Sequence, residues 1–479
     1  MIFTVLFLIL LTVMFVILLS SSFKIINYIT IFHSLFIILL SIYLFLKVQL
    51  PVTFLENNYI LLDILSLYEI FITGVIFFFA SVYAGGYIEC LINDNELSKK
   101  NVKLFYLVYN ALLFMMILVF SSNNLSLLWI FAEITTILSA ILIVTLNAKD
   151  NILAAMKYVF ITSTAMLFSF IGLIFLYSAS NHAGSIGTLN WNELMLISQQ
   201  IPPQLLIFSF VFIFIGFAAK SGIVPFHTWL PSVYAKSPSD VSVLLSGAIH
   251  NVGLYAIIRA YTLIAPTSMG NTASLIMLIF GILTIGVASL SMIVRTNLKK
   301  LIAFSSIETM GFMLIGIALG NIFWVLYFML ANALIKAVLF FSAGIIHRQY
   351  NSVRVGDINN IFKLQPLAAV GLIIGSIAII GTPLFPIFMP KFYILASLIK
   401  ISIISVVFVL LFLLIAVSGY VWLIIRLVTQ QGKTKDRYFV YLSMKMPIII
   451  LIICLLILGV YFPQPLADTL NLITLQLGF

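Results

Sequence analysis

Charge is what this sequence has least of. Asp, Glu, Lys and Arg together make up 8% of its 479 residues, against about 25% in ordinary globular proteins. So few charged groups could not cover the surface of a soluble protein of this length. Cysteine is almost absent: Cys90 and Cys454 are the two. Two thiols support neither a disulfide framework nor an iron–sulfur cluster, which usually takes four thiolates. There is no glycine-rich nucleotide loop of Rossmann or P-loop spacing, no CxxC and no HExxH. The five histidines, His33, His182, His227, His250 and His347, are scattered. These absences argue against intrinsic redox or hydrolytic chemistry. No catalytic residue, metal site or bound cofactor is expected, and enzymatic activity of the isolated chain is left open.

What the sequence does have is apolar length. Hydrophobic residues are 63% of the chain, and runs such as Phe3 to Leu19 and Ile401 to Ile425 recur throughout. A helix crossing a bilayer needs about 20 apolar residues, so the pattern is that of an all-α polytopic membrane protein. Turn and charge breaks divide it into about 14 spans, near 2–20, 25–46, 60–88, 104–121, 125–147, 152–178, 204–231, 241–263, 273–294, 301–319, 322–346, 367–399, 402–428 and 446–463. The seventh and twelfth are interrupted. The longest polar connections, near 179–203 and 347–366, leave no room for a soluble domain. Met1-Ile-Phe-Thr lacks a basic region and a small-residue cleavage site, so the first span reads as retained. The aromatic content of 14% is ordinary membrane core and interfacial belt.

The net charge of +10 would suit a nucleic-acid binder, but topology accounts for it. With the N-terminus placed outside, 17 of the 24 Lys and Arg residues fall in inward loops, including Lys433 and Lys435, and only Lys47 and Lys400 face outward. That satisfies the positive-inside rule and predicts an even number of spans with both ends outside. No nucleic-acid partner is needed. A multi-pass protein of a prokaryotic-type cytoplasmic membrane is expected.

The remaining basic residues, Lys157, Lys220, Arg259, Lys336 and Lys391, fall inside spans, as do Glu133 and Glu308. A charge at the bilayer centre costs about 2.5–3.5 kcal/mol on insertion scales. Snorkelling to the headgroups would relieve Arg259, near the end of its span, and Lys157, near the start of its own. It fits Lys220 and Lys336 poorly, since both are embedded in apolar sequence. Asp63 and Glu69 in the third span read as helix-packing or interfacial groups.

Spacing adds information. Glu133 and Glu308 are 175 residues apart, Lys157 and Lys336 are 179, and Lys220 and Lys391 are 171. Like residues thus recur five spans apart. Five is odd, so the second copy is upside down, the arrangement of an inverted-topology repeat. The expected division is an N-terminal three-span segment over 1–103, a first repeat over 104–263, a second over 273–428, and a C-terminal span and tail over 429–479. Lys220 precedes Ser-Gly-Ile-Val-Pro225, and Lys391 follows Gly381, Pro383, Pro386 and Pro390. Proline cannot donate to the helix and clashes with the preceding turn, so both spans should break near mid-depth. A lysine beside such a break can exchange a proton, its affinity set by burial and by a movable carboxylate. A Glu–Lys–Lys row repeated twice would form a lateral chain of proton-binding sites.

The segment Lys220-Ser-Gly-Ile-Val-Pro-Phe-His-Thr-Trp-Leu-Pro231, followed by Ser237-Pro-Ser-Asp-Val-Ser-Val-Leu-Leu-Ser-Gly247, resembles the proton-translocating signature of antiporter-like membrane subunits. These subunits occur in respiratory complex I, Mrp-type cation/proton antiporters and energy-converting hydrogenases. Trp129 to Glu133, Ala154-Ala-Met-Lys-Tyr158 and Leu334-Ile-Lys-Ala-Val-Leu-Phe340 extend the match, which covers roughly residues 60–400. Ser305-Ser-Ile-Glu-Thr-Met-Gly311 is similar to the F-type branch of the hydrogenase-4 membrane proteins. The resemblance implies 14 helices with two inverted five-helix units and no redox centre. It implies a proton pathway through Glu133, Lys157, Lys220, His250, Glu308, Lys336 and Lys391. Pro225, His227, Asn251, Asn332, Pro383 and Pro386 would form the helix breaks and their support, with His227 either pinning the loop or relaying protons.

The chain departs from the family pattern in places. Asn251 stands where many members have lysine, Asn332 where many have histidine, and Ser232, Tyr234 and Lys236 where acidic residues and histidine are usual. The link between the half-channels would then run through His250, Lys336 or water. The function implied is proton translocation within a respiratory or energy-converting redox complex of hydrogenase-4 or complex I type. Its partners would be other membrane subunits, a peripheral redox module and the lipid bilayer, with H⁺ as the ion and Na⁺ left open. The alternative is a cation/proton antiporter subunit of Mrp type without a redox partner.

Overall fold

The computed structural model describes residues 2–48, 50–54, 57–94, 96–146, 149–183, 187–432 and 436–479. Lys433 and Lys435, counted among the inward basic residues, lie outside the described residues, as does Met1.

Two helices, α1 (Ile2–Leu19) and α2 (Phe23–Lys47), lead into an antiparallel hairpin of β1 (Val52–Phe54) and β2 (Ile60–Leu62). The hairpin pairs Val52 with Leu62 and Phe54 with Ile60. It takes residues 60–62, which the hydropathy pattern assigned to the third span. Asp63 then caps the next helix by accepting from the Ser66 amide, a common N-cap arrangement. There follow α3 (Ile64–Asn93), α4 (Lys99–Phe120), α5 (Leu125–Val144), α6 (Lys149–His182) and the short α7 (Trp191–Ile197).

The seventh span is α8 (Pro203–Lys220), a break, and α9 (Leu230–Lys236). The eighth is α10 (Ser239–Leu244) and α11 (His250–Ile264), joined by a π-helical stretch over Leu245–Ile249. Then come α12 (Gly270–Ile293), α13 (Leu298–Ala318), α14 (Ile322–Tyr350) and the single turn α15 (Ile361–Leu364). The twelfth span is broken into α16 (Pro366–Ile380) and α17 (Phe388–Ile399), and α18 (Ile403–Thr429) and α19 (Leu442–Val460) complete the set. The polar tail is folded into α20 (Gln464–Gln476), where Pro463 stops one helix and admits another. Phe479 beyond it stacks on Tyr261, 5.7 Å between ring centres.

Among the described residues, twelve helices are long and apolar enough to cross a membrane unaided. With α1 and the interrupted pair α16–α17, the spans number 14. The chain is a multi-pass membrane protein. Depth of burial orders the helices. The spans over Ser239–Ile264 and Leu298–Ala318 are wholly enclosed and α14 nearly so, whereas α2, α18 and α19 leave most of their surface outward. Lipid gives apolar side chains no reason to cluster, so such bundles close by van der Waals fit at small residues. Gly216 on α8 sits against Ser169 of α6, and Gly311 on α13 against the Gly281 carbonyl of α12. A methyl group at either glycine would fall within 2.8 Å of those atoms.

An inverted five-helix repeat is visible element by element. The starts of α4, α5 and α6 recur as those of α12, α13 and α14 at offsets of 171, 173 and 173 residues. Those of α8 and α10 recur as α16 and α18 at 163 and 164. The connections repeat as well. Asn124 caps α5 and pairs antiparallel with Asn190; Asn297 caps α13 and pairs antiparallel with Arg354. In the first copy the Leu125 amide meets the Leu189 carbonyl at 2.9 Å; in the second Leu298 meets Val353 at 2.8 Å. The two bridges fall at opposite ends of the bundle, since an odd number of spans separates them.

Candidate ion-transfer site

Both broken spans leave a helix C-terminus inside the bundle, with carbonyls that the next turn would otherwise bind. At the first break Gly222 takes φ +71°, a left-handed conformation that L side chains rarely adopt. The Trp229 indole donates to the Ala219 carbonyl at 3.0 Å, and the Val224 amide donates to Thr284 of α12 at 3.1 Å. These contacts satisfy groups the break has freed, as non-helical backbone at that depth requires. Pro225 lies exposed on the outer side of the turn, and beside it Nδ1 of half-buried His227 makes no hydrogen bond among the described residues.

Lys220 is the last residue of α8 and is 0% exposed. Its ammonium donates to the Ala132 carbonyl at 2.6 Å and to Thr136 Oγ1 at 2.7 Å, both on α5. The negative end of the α8 dipole also favours a cation there. Half-buried Glu133 follows Ala132 directly, and its Oε2 makes no hydrogen bond among the described residues. Lys157 on α6 is exposed on the outer surface of the bundle, beside Met156 and Phe160.

Beyond Lys220 the polar groups continue inward. The Ser221 hydroxyl faces the His250 carbonyl at 3.5 Å. His250, fully buried at the start of α11, holds the Tyr234 hydroxyl at 2.9 Å through Nε2. The Tyr234 ring meets Phe340 edge-on, 5.4 Å between centres, four residues along α14 from Lys336. Asn251 does not lie at a break. It sits within α11 and donates through Nδ2 to Glu69 Oε2 of α3 at 3.1 Å. Asn332 of α14 accepts from Thr309 of α13 at 3.2 Å.

In the second half Lys336 is 0% exposed and donates to Ser305 Oγ at 2.5 Å and to the Ile302 carbonyl at 3.2 Å. Lys391 pairs with Glu308 Oε1 at 2.9 Å and donates to the Ile379 and Ile380 carbonyls at 3.1 and 3.3 Å. Those carbonyls end α16, where Gly381 turns the chain at φ +88° ahead of Pro383 and Pro386. The two break lysines thus differ in where their ammonium groups lie: that of Lys391 reaches the carbonyls ending α16, whereas that of Lys220 reaches α5. Lys220 belongs to the half-helix that stops; Lys391 belongs to the half-helix that restarts and reaches back.

Three other basic residues depart from the sequence reading. Arg259 does not snorkel. Its guanidinium pairs with Asp63 at 2.7 Å, with both side chains almost wholly buried, and lies 4.2 Å from the Trp191 ring centre. Lys299 and Arg348, assigned to inward loops, are buried. Lys299 donates to the Ser237 carbonyl at 2.9 Å, and Arg348 pairs with Asp94 and Glu96. The partners of Arg259 and Asn251 lie 196 and 182 residues away in sequence, so no local signal could have announced them.

A bundle of spanning helices with two internal breaks, each with a buried lysine beside it, is the architecture of a membrane ion-translocating protein. Residues 122–416 match the family described as NADH:quinone oxidoreductase/Mrp antiporter, TM. The chain belongs to this family. It is 29% identical over 383 residues to a hydrogenase-4 component F homolog of Methylacidiphilum infernorum, covering 79% of each chain. It is 25% identical over 389 residues to NADH-quinone oxidoreductase subunit M of Rickettsia conorii, covering 79% of this chain and 77% of that one. Among solved structures, the fold is shared with a chain of an archaeal membrane-bound sulfane sulfur reductase, at TM-score 0.88 and 21% identity, covering 99% of this chain and 97% of the other. A chain of the Mrp complex of a Dietzia species gives TM-score 0.86 at 16% identity, covering 98% and 96%.

Proposed function

We propose that this chain is the proton-translocating membrane subunit of a respiratory or energy-converting redox complex. The observation that carries this reading is the burial of Lys220 and Lys336. Each is fully enclosed, and each is held by a hydroxyl and a backbone carbonyl instead of a carboxylate. A buried lysine amine held by a hydroxyl and a carbonyl can carry a proton or pass it on, and a carboxylate moving beside it decides which. Glu133 stands next to Lys220's carbonyl partner and Glu308 on the same helix as Lys336's partners. A shift of either carboxylate toward or away from its lysine changes where the proton rests. Lys391, bound to Glu308 and to the end of α16, takes the terminal position. His250 and Tyr234 bridge the halves, and Lys157 lies at the outer margin of the first. His227 lies beside the first break, and Asn332 ties α14 to α13 through Thr309.

In this reading residues 1–103 form the N-terminal segment, 104–263 and 273–428 the two inverted units, and 429–479 the C-terminal span with its tail. The basic loops face inward in a prokaryotic-type cytoplasmic membrane, and both ends face out. The redox chemistry resides in a peripheral module joined through other membrane subunits. Kinship with hydrogenase-4 component F and quinone oxidoreductase subunit M supports this over a free-standing antiporter. The test is purification of the native assembly followed by reconstitution in liposomes. Electron donor and acceptor should drive acidification. Acidification that responds only to an imposed Na⁺ or K⁺ gradient, with no redox subunit attached, would support the antiporter instead.

A further inference from the structure

Glu69 is the sixth residue of α3, and it is 0% exposed. One carboxylate oxygen accepts from Asn251 at 3.1 Å; the other, Oε1, makes no hydrogen bond among the described residues. One turn further along α3, the Thr73 hydroxyl is also buried and unpaired, as is Asn251 Oδ1. Among the described residues, Asp63, Asp94, Glu96, Asp150 and Glu308 each have a cationic nitrogen within 4.0 Å. Glu69 has none. An ionised carboxylate in such surroundings needs a cation or several donors; a single amide supplies neither.

The location is as informative as the chemistry. Asn251 adjoins His250, and a π-helical stretch, Leu245–Ile249, immediately precedes them, a feature frequent at functional sites. On the other side, the Tyr68 hydroxyl donates to the Leu326 carbonyl at 2.9 Å, tying α3 to the helix that carries Lys336. Glu69 therefore stands where α3 bonds to the His250 helix, one residue from the Tyr68 contact to Leu326 of α14. We propose that Glu69 is a proton-carrying group between the two halves, taking up and releasing a proton at Oε1 while Asn251 holds Oε2. The inference rests on the proton-translocating reading above. It places a titratable carboxyl on α3 beside a position that, in α11 itself, cannot titrate.

The test uses the whole assembled complex in liposomes, with proton transfer per redox turnover as the readout. Glu69→Gln keeps the shape and the bond to Asn251 but cannot titrate, and transfer should fall by about 10²-fold. Glu69→Gln combined with Asn251→Asp moves the carboxyl across the same hydrogen bond and should recover most of the loss, which a purely structural role would not produce. Lys220→Ala is the control for the underlying reading. If it abolishes transfer while Glu69→Gln pumps normally, or while the exchanged pair stays as inactive as Glu69→Gln, Glu69 is not on the path. If Lys220→Ala itself pumps normally, the reading beneath the proposal fails. Should Glu69→Gln not assemble, infrared difference spectra during turnover should show a protonated-carboxyl band that shifts in Asn251→Ala. Absence of the band, or no shift, overturns the proposal.

Discussion

Lys391 donates to Glu308 across 2.9 Å, whereas Lys220 has no carboxylate oxygen within 4.0 Å among the described residues and rests on Thr136 and Ala132. The two copies of the repeat therefore hold their break lysines differently: one against a carboxylate, one against a hydroxyl and a carbonyl. Removing one partner of a buried pair leaves the other uncompensated, at about 3–5 kcal/mol. Glu308→Gln should lower the thermal stability of the purified complex by about that amount and stop proton transfer. Glu308→Asp should retain part of both. Wild-type melting and pumping in Glu308→Gln would show that the pair is incidental.

Lys220 calls for a different outcome. Lys220→Ala leaves the Thr136 hydroxyl and the Ala132 carbonyl without their donor, a penalty of about 1–3 kcal/mol. The complex should still assemble, with redox turnover slowed and uncoupled from proton movement. Thermal unfolding measured beside redox-driven dye quenching separates the two effects.

Arg259 is a stabilising residue in this account. Arg259→Met strands Asp63 in the core and should cost about 3–5 kcal/mol. The double substitution Asp63→Asn with Arg259→Met should recover much of that. Transfer per assembled complex should remain near wild type throughout, and a selective loss of transfer would move the pair onto the pathway.

The inverted repeat makes its own prediction. Asn124 and Asn297 cap equivalent helices at opposite ends of the bundle. Replacing either with alanine should cost about 0.5–2 kcal/mol, and the two losses should add, since sites this far apart are independent. Melting of the single and double variants checks it.

Much of the architecture was legible because charges are so scarce that each one inside a span stands out. The spans, both breaks and the repeat followed from apolar runs, from Pro225 and Pro383, and from recurring Glu and Lys. Residue by residue the repeat was less faithful than its spacing suggested. The α6-to-α14 offset of 173 makes Leu330 the counterpart of Lys157, which is exposed, while Lys336 is buried. The 163-residue offset of α8 to α16 puts Lys391 beyond the break, and only its long side chain returns the ammonium to the equivalent helix end. The Asp63–Arg259 and Glu69–Asn251 contacts escaped altogether, because each joins α3 to α11 through tertiary packing with no periodicity of its own. β1, β2 and α20 escaped for another reason: each is shorter than the apolar run that marks a membrane span.

The most direct measurement is proton transfer per electron by the reconstituted complex carrying Lys336→Met, an apolar residue of similar length that cannot hold a proton. The prediction is an assembled complex with electron flow but transfer through this subunit lost. Undiminished proton yield in that variant would contradict the central claim that buried lysines carry the proton.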